Sequence, residues 1–98
     1  MSSGVQRRVQ GAFIGTGSEI EVRTVGFRPT RVELYNADDP GFLVWFAGMP
    51  DASGFKHVDD ASTFLSSNGI TPLSNGFKIG ADSDMNANTE KVFYEAFE

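Results

Sequence analysis

The sequence predicts an all-β protein, a single compact β-sandwich or small barrel (jelly-roll-like) of about seven to eight short antiparallel strands. Several stretches alternate apolar and polar residues with period two, as half-buried strands do. The 11 glycines and 4 prolines are spread along the chain, so we expect helix only as single turns. Two Asn-Gly pairs, at 68–69 and 75–76, are strong hairpin signals. At 98 residues the chain suits one domain, residues 1–98, with residues 1–8 as a candidate N-terminal arm.

The first third of the chain predicts three strands. Residues 5–14 form an irregular strand interrupted by Gly11. Residues 19–25 and 31–35 alternate more cleanly, with one apolar and one polar face each. Between the first two strands, residues 15–18 (Gly-Thr-Gly-Ser) resemble a phosphate-binding loop, but they lack its lysine and a following helix. We interpret them as a tight hairpin.

The remaining strands are bounded by turn residues. Residues 42–47 are a continuous apolar run, which predicts a strand covered on both faces, one by the core and the other by a partner subunit. A short strand is predicted at 55–58. The two Asn-Gly pairs introduce strands at 70–73 and 77–79, and residues 91–97 predict a closing strand.

The aromatic residues predict the core. The chain contains nine Phe and one Trp, and burying each contributes about 2–3 kcal/mol. The residues expected inside are Phe13, Phe27, Phe42, Trp45, Phe46, Phe64, Phe77, Phe93 and Phe97.

Composition excludes several classes of protein. The absence of cysteine removes disulfides and thiolate chemistry, and no apolar run is long enough for a membrane-spanning helix. No apolar stretch follows Met1, so we expect no secretory signal and synthesis in a reducing cytoplasm. Residues 1–37 hold five arginines and three glutamates, whereas residues 38–98 hold three lysines and ten carboxylates. This acidic balance disfavours nucleic-acid binding; the asymmetry is equally typical of two faces with different partners and of scattered surface charges.

Catalytic groups are scarce. His57 is the only histidine, and no Gly-x-Ser-x-Gly elbow accompanies it, so we expect an ordinarily solvated loop histidine. The pairs at 38–39 and 59–60 (Asp-Asp) are interpreted as turn residues rather than as paired catalytic carboxylates. The sequence therefore predicts neither an enzyme nor a cofactor site.

One acidic stretch resembles the start of a calcium loop. Asp82, Asp84 and Asn86 place oxygen ligands at alternate positions. An EF-hand then needs Gly and Glu, where this chain has Ala87 and Phe93. Because Asp and Asn commonly bond their own backbone in turns, we expect a turn and no metal, with a bound cation as the open alternative.

Two separated patterns carry a resemblance to a known group. The first comprises residues 15–18, 26–29 (Gly-Phe-Arg-Pro) and the strand from Arg31; the second comprises residues 76–82, 86–88 and 94–97. Together they resemble small β-rich virion proteins of tailed bacteriophages, in which a pattern close to G-F-x-[IV]-G-x-D…N-A-x-G…Y-x-A-F closes the domain. The chain departs from the pattern at Thr89, where glycine is common, and at Val92, where an aromatic residue is common.

The resemblance implies a structural function. Such proteins are capsid decoration (cement) proteins, which bridge capsomers, or domains of tail-associated and fibre proteins. A chain that begins at Met1 is expected to be complete, which favours decoration. The implied partners are the major capsid protein and the protein itself as a homotrimer, with no nucleic acid or membrane. The implied location is the capsid surface of the virion, after synthesis in the host cytoplasm.

Two alternatives remain at this stage. A tail- or fibre-associated module would bind a host glycan by stacking it on Trp45 or Tyr35, and a general β domain would have no viral role. For the decoration protein, the candidate capsid and subunit contacts are two cations near the N-terminus and four residues of the apolar run: Arg7, Arg8, Phe42, Val44, Trp45 and Phe46.

Overall fold

The computed structural model describes residues 7–98 and confirms the all-β prediction. Within those residues there is no helix, and eight antiparallel strands form one curled, half-barrel sheet. The strands are β1 (Arg8–Ile14), β2 (Ile20–Val22), β3 (Arg31–Asn36), β4 (Gly41–Phe46), β5 (Ser53–Val58), β6 (Ala61–Leu73), β7 (Gly76–Ile79) and β8 (Lys91–Phe97).

Strand order explains why the sheet curls. The order is β1-β8-β3-β4-β5-β6-β7-β2, so β1 and β2 are the two edge strands. A flat sheet would separate these edges by seven strand spacings, roughly 34 Å. Only residues 15–19 join β1 to β2, and such a segment spans at most roughly 20 Å. The two edges must therefore approach each other at this end of the sheet.

The predicted hairpin at residues 15–18 is wrong. β1 pairs with β8, and β2 pairs with β7. The Gly15 N–H instead donates to the Glu90 carbonyl at 2.8 Å, and the Thr89 N–H donates to the Gly15 carbonyl at 2.9 Å. A Cβ at position 15 would lie 2.0 Å from the Ala87 carbonyl oxygen. Glycine thus allows the crossover from β1 to β2 to pack directly on the segment that precedes β8.

The core fills the concave side of the sheet. Its buried apolar residues are Val22, Val25, Phe27, Val32, Leu34, Leu43, Trp45, Val58, Ile70, Phe77, Ile79, Met85, Val92, Tyr94 and Ala96. Phe77 and Tyr94 meet edge to face, with ring centroids 5.3 Å apart, and the Trp45 indole N–H donates to the Pro50 carbonyl at 3.3 Å. The prediction of a buried Phe27, Trp45 and Phe77 is confirmed.

Four of the predicted core phenylalanines are exposed instead: Phe42, Phe46, Phe64 and Phe93. In β4 the side chains alternate, so Leu43 and Trp45 lie in the core and their neighbours face outward. An uninterrupted apolar run hides this alternation, because both faces of the strand are apolar.

The two Asn-Gly pairs have different outcomes. The expected β6–β7 hairpin is confirmed, but its two-residue turn is Ser74-Asn75, because Leu73 pairs with Gly76 and Gly76 begins β7. The hairpin expected at Asn68-Gly69 is wrong, because these residues lie within β6. There the pairing with β5 jumps from Leu65 to Ile70, and residues 66–69 form a bulge.

The β5–β6 hairpin turns at the acidic pair Asp59-Asp60. Val58 pairs with Ala61, and the two aspartates have φ angles of 53° and 61°. Positive φ at both central residues is the type I′ geometry, which matches the twist of paired strands. The interpretation of this pair as turn residues is confirmed.

The buried amide of Asn86 binds the segment that crosses from β1 to β2. Its Oδ1 accepts from the Thr16 N–H at 2.9 Å, and its Nδ2 donates to the Ser18 and Gly80 carbonyls at 2.6 and 2.9 Å. The Gly17 N–H donates to the backbone carbonyl of Asn86 at 2.9 Å. Asn86 is fully buried, so its amide depends on these partners for hydrogen bonding.

Of the expected arm at residues 1–8, residues 1–6 lie outside the described residues and Arg8 is already the first residue of β1. Within residues 7–98 there is no helix long and apolar enough to cross a membrane.

Loss of the Asn86 amide is expected to destabilise the fold. Asn86→Asp replaces the donating NH2 by an oxygen that faces two carbonyls, so unfolding free energy is expected to fall by about 1–3 kcal/mol. Urea denaturation of the purified protein measures this change. The matched control Asn88→Asp alters an exposed residue of the same loop and is expected to shift stability by no more than about 0.5 kcal/mol. Equal effects at the two positions would contradict the role of Asn86 in stabilising the β1–β2 crossover.

Candidate binding surface

The face of the sheet opposite the core carries exposed aromatic side chains. We call it the aromatic face and define it by six residues: Tyr35, Phe42, Phe46, Phe55, Phe64 and Phe93. Their exposed fractions range from 39% for Phe42 and Phe46 to 52% for Phe55. Apolar patches of this kind on soluble proteins commonly mark sites of interaction.

Strand register aligns the rings in rows. In the first row, Phe93 of β8 lies opposite Tyr35 of β3, which lies opposite Phe42 of β4, which lies opposite His57 of β5. The Tyr35 and Phe42 centroids are 6.3 Å apart, and Phe42 stacks on His57 at 5.5 Å. Three consecutive strands, β3, β4 and β5, and the distant strand β8 thus supply one row of rings.

A second row of apolar side chains crosses β4, β5 and β6. Val44 lies opposite Phe55, and Phe55 lies opposite Phe64. The rings of Phe55 and Phe64 meet edge to face with centroids 5.1 Å apart. This part of the aromatic face, on β4, β5 and β6, holds no Asp, Glu, Lys or Arg side chain.

The other half of the aromatic face has internally paired charges. Glu33 is buried, forms an ion pair with Arg31 and accepts a hydrogen bond from the Tyr35 hydroxyl. The Arg31 guanidinium lies over the rings of Phe46 and Phe97, 5.1 and 5.4 Å from their centroids. A partner that docks here would meet a neutralised surface rather than a free charge.

The Tyr35 phenol has a perturbed pKa. Its hydrogen bond to Glu33, its partial burial and the nearby negative charges of Glu33 and Glu95 raise the pKa of Tyr35 to about 12, against the opposing effect of Arg31. Tyr35 therefore stays a neutral hydrogen-bond donor throughout the physiological range.

A shallow depression adjoins the first row of rings. It has a volume of about 270 Å³ and is lined by Gln10, Gly11, Tyr35, Phe93, Tyr94 and Glu95. Gln10 Nε2 donates to Glu95 Oε2 at 2.8 Å. The depression combines aromatic rings with an amide and a carboxylate, groups that can stack on and hydrogen-bond to a polar cyclic ligand.

The two predicted N-terminal contact residues are exposed but paired within the chain. Arg7 Nε donates to Glu98 Oε1 at 2.9 Å and its guanidinium lies 5.1 Å from the Phe27 centroid. The hydrogen bond with Glu98 raises the pKa of Arg7. Arg8 forms an ion pair with Glu95 at 3.2 Å. Both cations can still reach a partner, but each would have to share or exchange its carboxylate.

The apolar run divides between two faces. Phe42, Val44 and Phe46 belong to the outer side of β4, where the sequence placed a partner contact. Trp45 is only 3% exposed and lies in the core. This corrects its inclusion among contact residues and as a stacking platform for a glycan, because alternation along β4 turns it inward.

The suspected cation position is occupied by a lysine of the chain itself. Lys56 Nζ lies 2.9 Å from Asp82 Oδ1 and 2.5 Å from Asp84 Oδ2. The second Asp82 oxygen accepts from the backbone N–H groups of Asp84 and Met85 at 3.1 and 2.9 Å, and the Asn86 amide is committed to the β1–β2 crossover. Within residues 7–98 no group of three acidic, histidine or cysteine side chains could hold a metal ion.

Burial and ion pairing act oppositely on this lysine. Burial lowers the pKa of Lys56, but the hydrogen bonds and charges of Asp84 and Asp82 outweigh it, so the net pKa is raised. The ammonium is thus a permanent cation that links β5 to the loop before β8.

His57 lies in β5, not in a loop as expected. Its ring stacks on Phe42, and its Nδ1 lies 3.0 Å from Ser62 Oγ. Among residues 7–98 no carboxylate forms a hydrogen bond with either ring nitrogen, so the orienting acid of a Ser-His-Asp triad is lacking here.

Comparison with known protein families, with characterised proteins and with solved structures found no match to this chain.

The raised pKa of Tyr35 predicts that its phenol ionises at unusually high pH. Absorbance at 295 nm should show a phenol that ionises near pH 12, and Tyr35→Phe should remove it. Because the folded pKa lies above the ordinary value of 10.0, the stabilising effect of Tyr35 is complete below pH 10 and is lost as the pH rises towards 12. A phenol that is lost in Tyr35→Phe but ionises near pH 10 in the wild type would contradict the Tyr35–Glu33 bond.

Removing the Lys56 ammonium predicts a large loss of stability. Lys56→Met leaves Asp82 and Asp84 adjacent and unpaired, so unfolding free energy at pH 7 is expected to fall by about 3 kcal/mol. Lys78→Met is the matched control, since Lys78 pairs at 3.4 Å with the more exposed Glu19; it should cost no more than about 1 kcal/mol. Urea denaturation at pH 7 measures both, and equal costs would contradict the structural role of Lys56.

Proposed function

We propose that this protein is a bacteriophage virion structural protein, a capsid decoration (cement) protein that stabilises the head by bridging capsomers. The aromatic face is the observation that carries the proposal, and the sequence resemblance supplies the class of partner, the major capsid protein. The protein acts on the capsid surface, where it assembles as a homotrimer, without cofactor or catalysis.

The energetics of the aromatic face suit a shell protein. Complete burial of a large apolar side chain contributes about 1.5–3 kcal/mol, and the six residues of the face are roughly half exposed. Covering them would contribute roughly 4–8 kcal/mol before the costs of association. Such a contact is weak alone, but a bridging protein makes several at once, and linked contacts reinforce one another.

The N-terminal arginines have a secondary role in this proposal. Arg7 and Arg8 are 58% and 59% exposed, and both already have intramolecular carboxylate partners. An exposed ion pair contributes about 0–1 kcal/mol. They can adjust docking on an acidic capsid surface, whereas the aromatic rings supply most of the free energy of binding.

Binding to undecorated capsids tests this division. The double variant Phe46→Ser with Phe55→Ser removes two exposed rings and is expected to weaken binding more than 10-fold, about 1.4 kcal/mol or more. The double variant Arg7→Glu with Arg8→Glu is expected to weaken it less than the ring variant and to reduce its salt dependence. Co-sedimentation with capsids measures both, and circular dichroism confirms that the variants remain β-rich. Unchanged binding of the ring variant would contradict docking through the aromatic face.

A second candidate function rests on the depression beside Tyr35. A tail- or fibre-associated module would use it to bind a host-surface glycan, with Tyr35 or Phe93 stacking on a sugar and Gln10 and Glu95 as hydrogen-bonding partners. Electron microscopy of virions with a labelled protein separates the two functions. Hundreds of copies on the shell support decoration, and a few copies at the tail support the glycan-binding module.

A further inference from the structure

The first half of β6 has an open hydrogen-bonding edge. Its residues Ala61–Leu65 pair with β5 on one side, but β7 pairs only with Ile70–Leu73. The bulge at residues 66–69 separates these two halves. Among residues 7–98 no strand pairs with the other side of Ala61–Leu65, and the β5–β6 hairpin therefore presents an unpaired edge.

The hairpin turn defines which groups point outward from this edge. A two-residue turn closes on a hydrogen-bonded pair, here Val58 with Ala61, and hydrogen-bonded and non-hydrogen-bonded pairs then alternate along the strands. Ser62 and Phe64 occupy the non-hydrogen-bonded positions. Their backbone N–H and C=O groups point away from β5, and no backbone hydrogen bond within the described chain satisfies them.

The edge lacks the features by which proteins prevent strand pairing. Such edges are commonly protected by lysine, proline or an inward charge. Residues 61–68 (Ala-Ser-Thr-Phe-Leu-Ser-Ser-Asn) contain no charged residue and no proline. By contrast, the edge strand β2 is only three residues long and carries Glu21.

We propose that this edge pairs with the same edge of a second copy of the chain, antiparallel and across a two-fold axis at Thr63. Ser62 of each copy then lies opposite Phe64 of the other, so their outward N–H and C=O groups bond reciprocally. The same register places Asp60 opposite Ser66, and no acidic residue opposes another. Thr63 faces its own equivalent, and Thr–Thr pairs are favourable across strands.

The aromatic face favours a second copy as the occupant. Phe64 lies on the edge strand and contacts Phe55, so edge pairing places the aromatic faces of the two copies side by side. The two sheets join into one, with a continuous band of aromatic rings that crosses the two-fold axis. This pairing forms a dimer of the free protein, whereas the homotrimer proposed above belongs to the capsid-bound protein, and the pairing does not depend on capsid binding.

A single backbone donor provides the test. Ser62→Pro removes the outward N–H without removing a β5–β6 hydrogen bond, whereas the matched control Ser62→Ala retains that N–H and also loses the hydroxyl that contacts His57. Sedimentation velocity from about 10 µM to 1 mM is expected to show the wild type and Ser62→Ala moving from 10.6 kDa towards twice that mass. Ser62→Pro should stay a monomer with an unchanged β-rich circular dichroism spectrum.

Three results would overturn the proposal: a wild type that stays monomeric, a trimer insensitive to Ser62→Pro, or equal dissociation of the Pro and Ala variants. None of them decides capsid binding, which the ring variants test separately. If Ser62→Pro fails to fold, a cysteine cross-link replaces it, because the natural chain has no cysteine. A non-hydrogen-bonded pair places Cα atoms about 4.5 Å apart, within disulfide range. Thr63→Cys should therefore oxidise to a covalent dimer much faster than Ser67→Cys, and equal rates would overturn the pairing.

Discussion

The buried amide of Asn86 is the constraint on which the curled sheet depends. The two edge strands are consecutive in the chain, and the short segment between them must stay close to the end of β7 and the loop before β8. One side chain satisfies this requirement, since it bonds to Thr16, Ser18 and Gly80 at once. Only an amide can accept from a backbone N–H and donate to two carbonyls in this arrangement.

The same end of the sheet contains a second polar anchor. Lys56 crosses from β5 to Asp82 and Asp84, and Asn36 donates from β3 to the Asp84 carbonyl at 2.7 Å. Among the described residues no buried side-chain polar atom lacks a partner. Because buried polar groups are costly unless they are paired, these bonds define one arrangement of the loop. The apolar core packs behind this polar end, and the outer face carries the aromatic rings.

Much of the fold could be predicted from the sequence, because local signals sufficed. Alternation at residues 31–35, the turn at Asn75 and the acidic pair at 59–60 each act over a few neighbouring residues. The failures required information on distant partners. Asn68-Gly69 resembles a hairpin turn, but its glycine lies where a Cβ would be 2.3 Å from the Ser53 carbonyl oxygen, so it serves a bulge. Residues 15–18 resemble a hairpin because only the strand order shows that β1 and β2 are opposite edges.

The candidate surface was predictable only in part. The apolar run marked Phe42 and Phe46 but could not separate them from Trp45, since each residue of the run is apolar. Phe55, Phe64 and Phe93 join the face through strand register, which the sequence does not display. The pairing of Arg7 with Glu98 spans almost the whole chain and has no local signal.

That pairing has a practical consequence. The Glu98 N–H donates to the Arg7 carbonyl at 2.9 Å, so the first and last described residues lie side by side, at the end of the sheet away from Asn86. A protein or peptide genetically fused before Arg7 or after Glu98 would emerge from one place on the surface. A short linker between these two residues would make the chain a closed ring, and new termini could then be opened at an exposed turn such as Asp59-Asp60. The fold thus offers two independent attachment points. One is the place where Arg7 and Glu98 meet, and the other is the β5–β6 turn at the opposite end of the sheet.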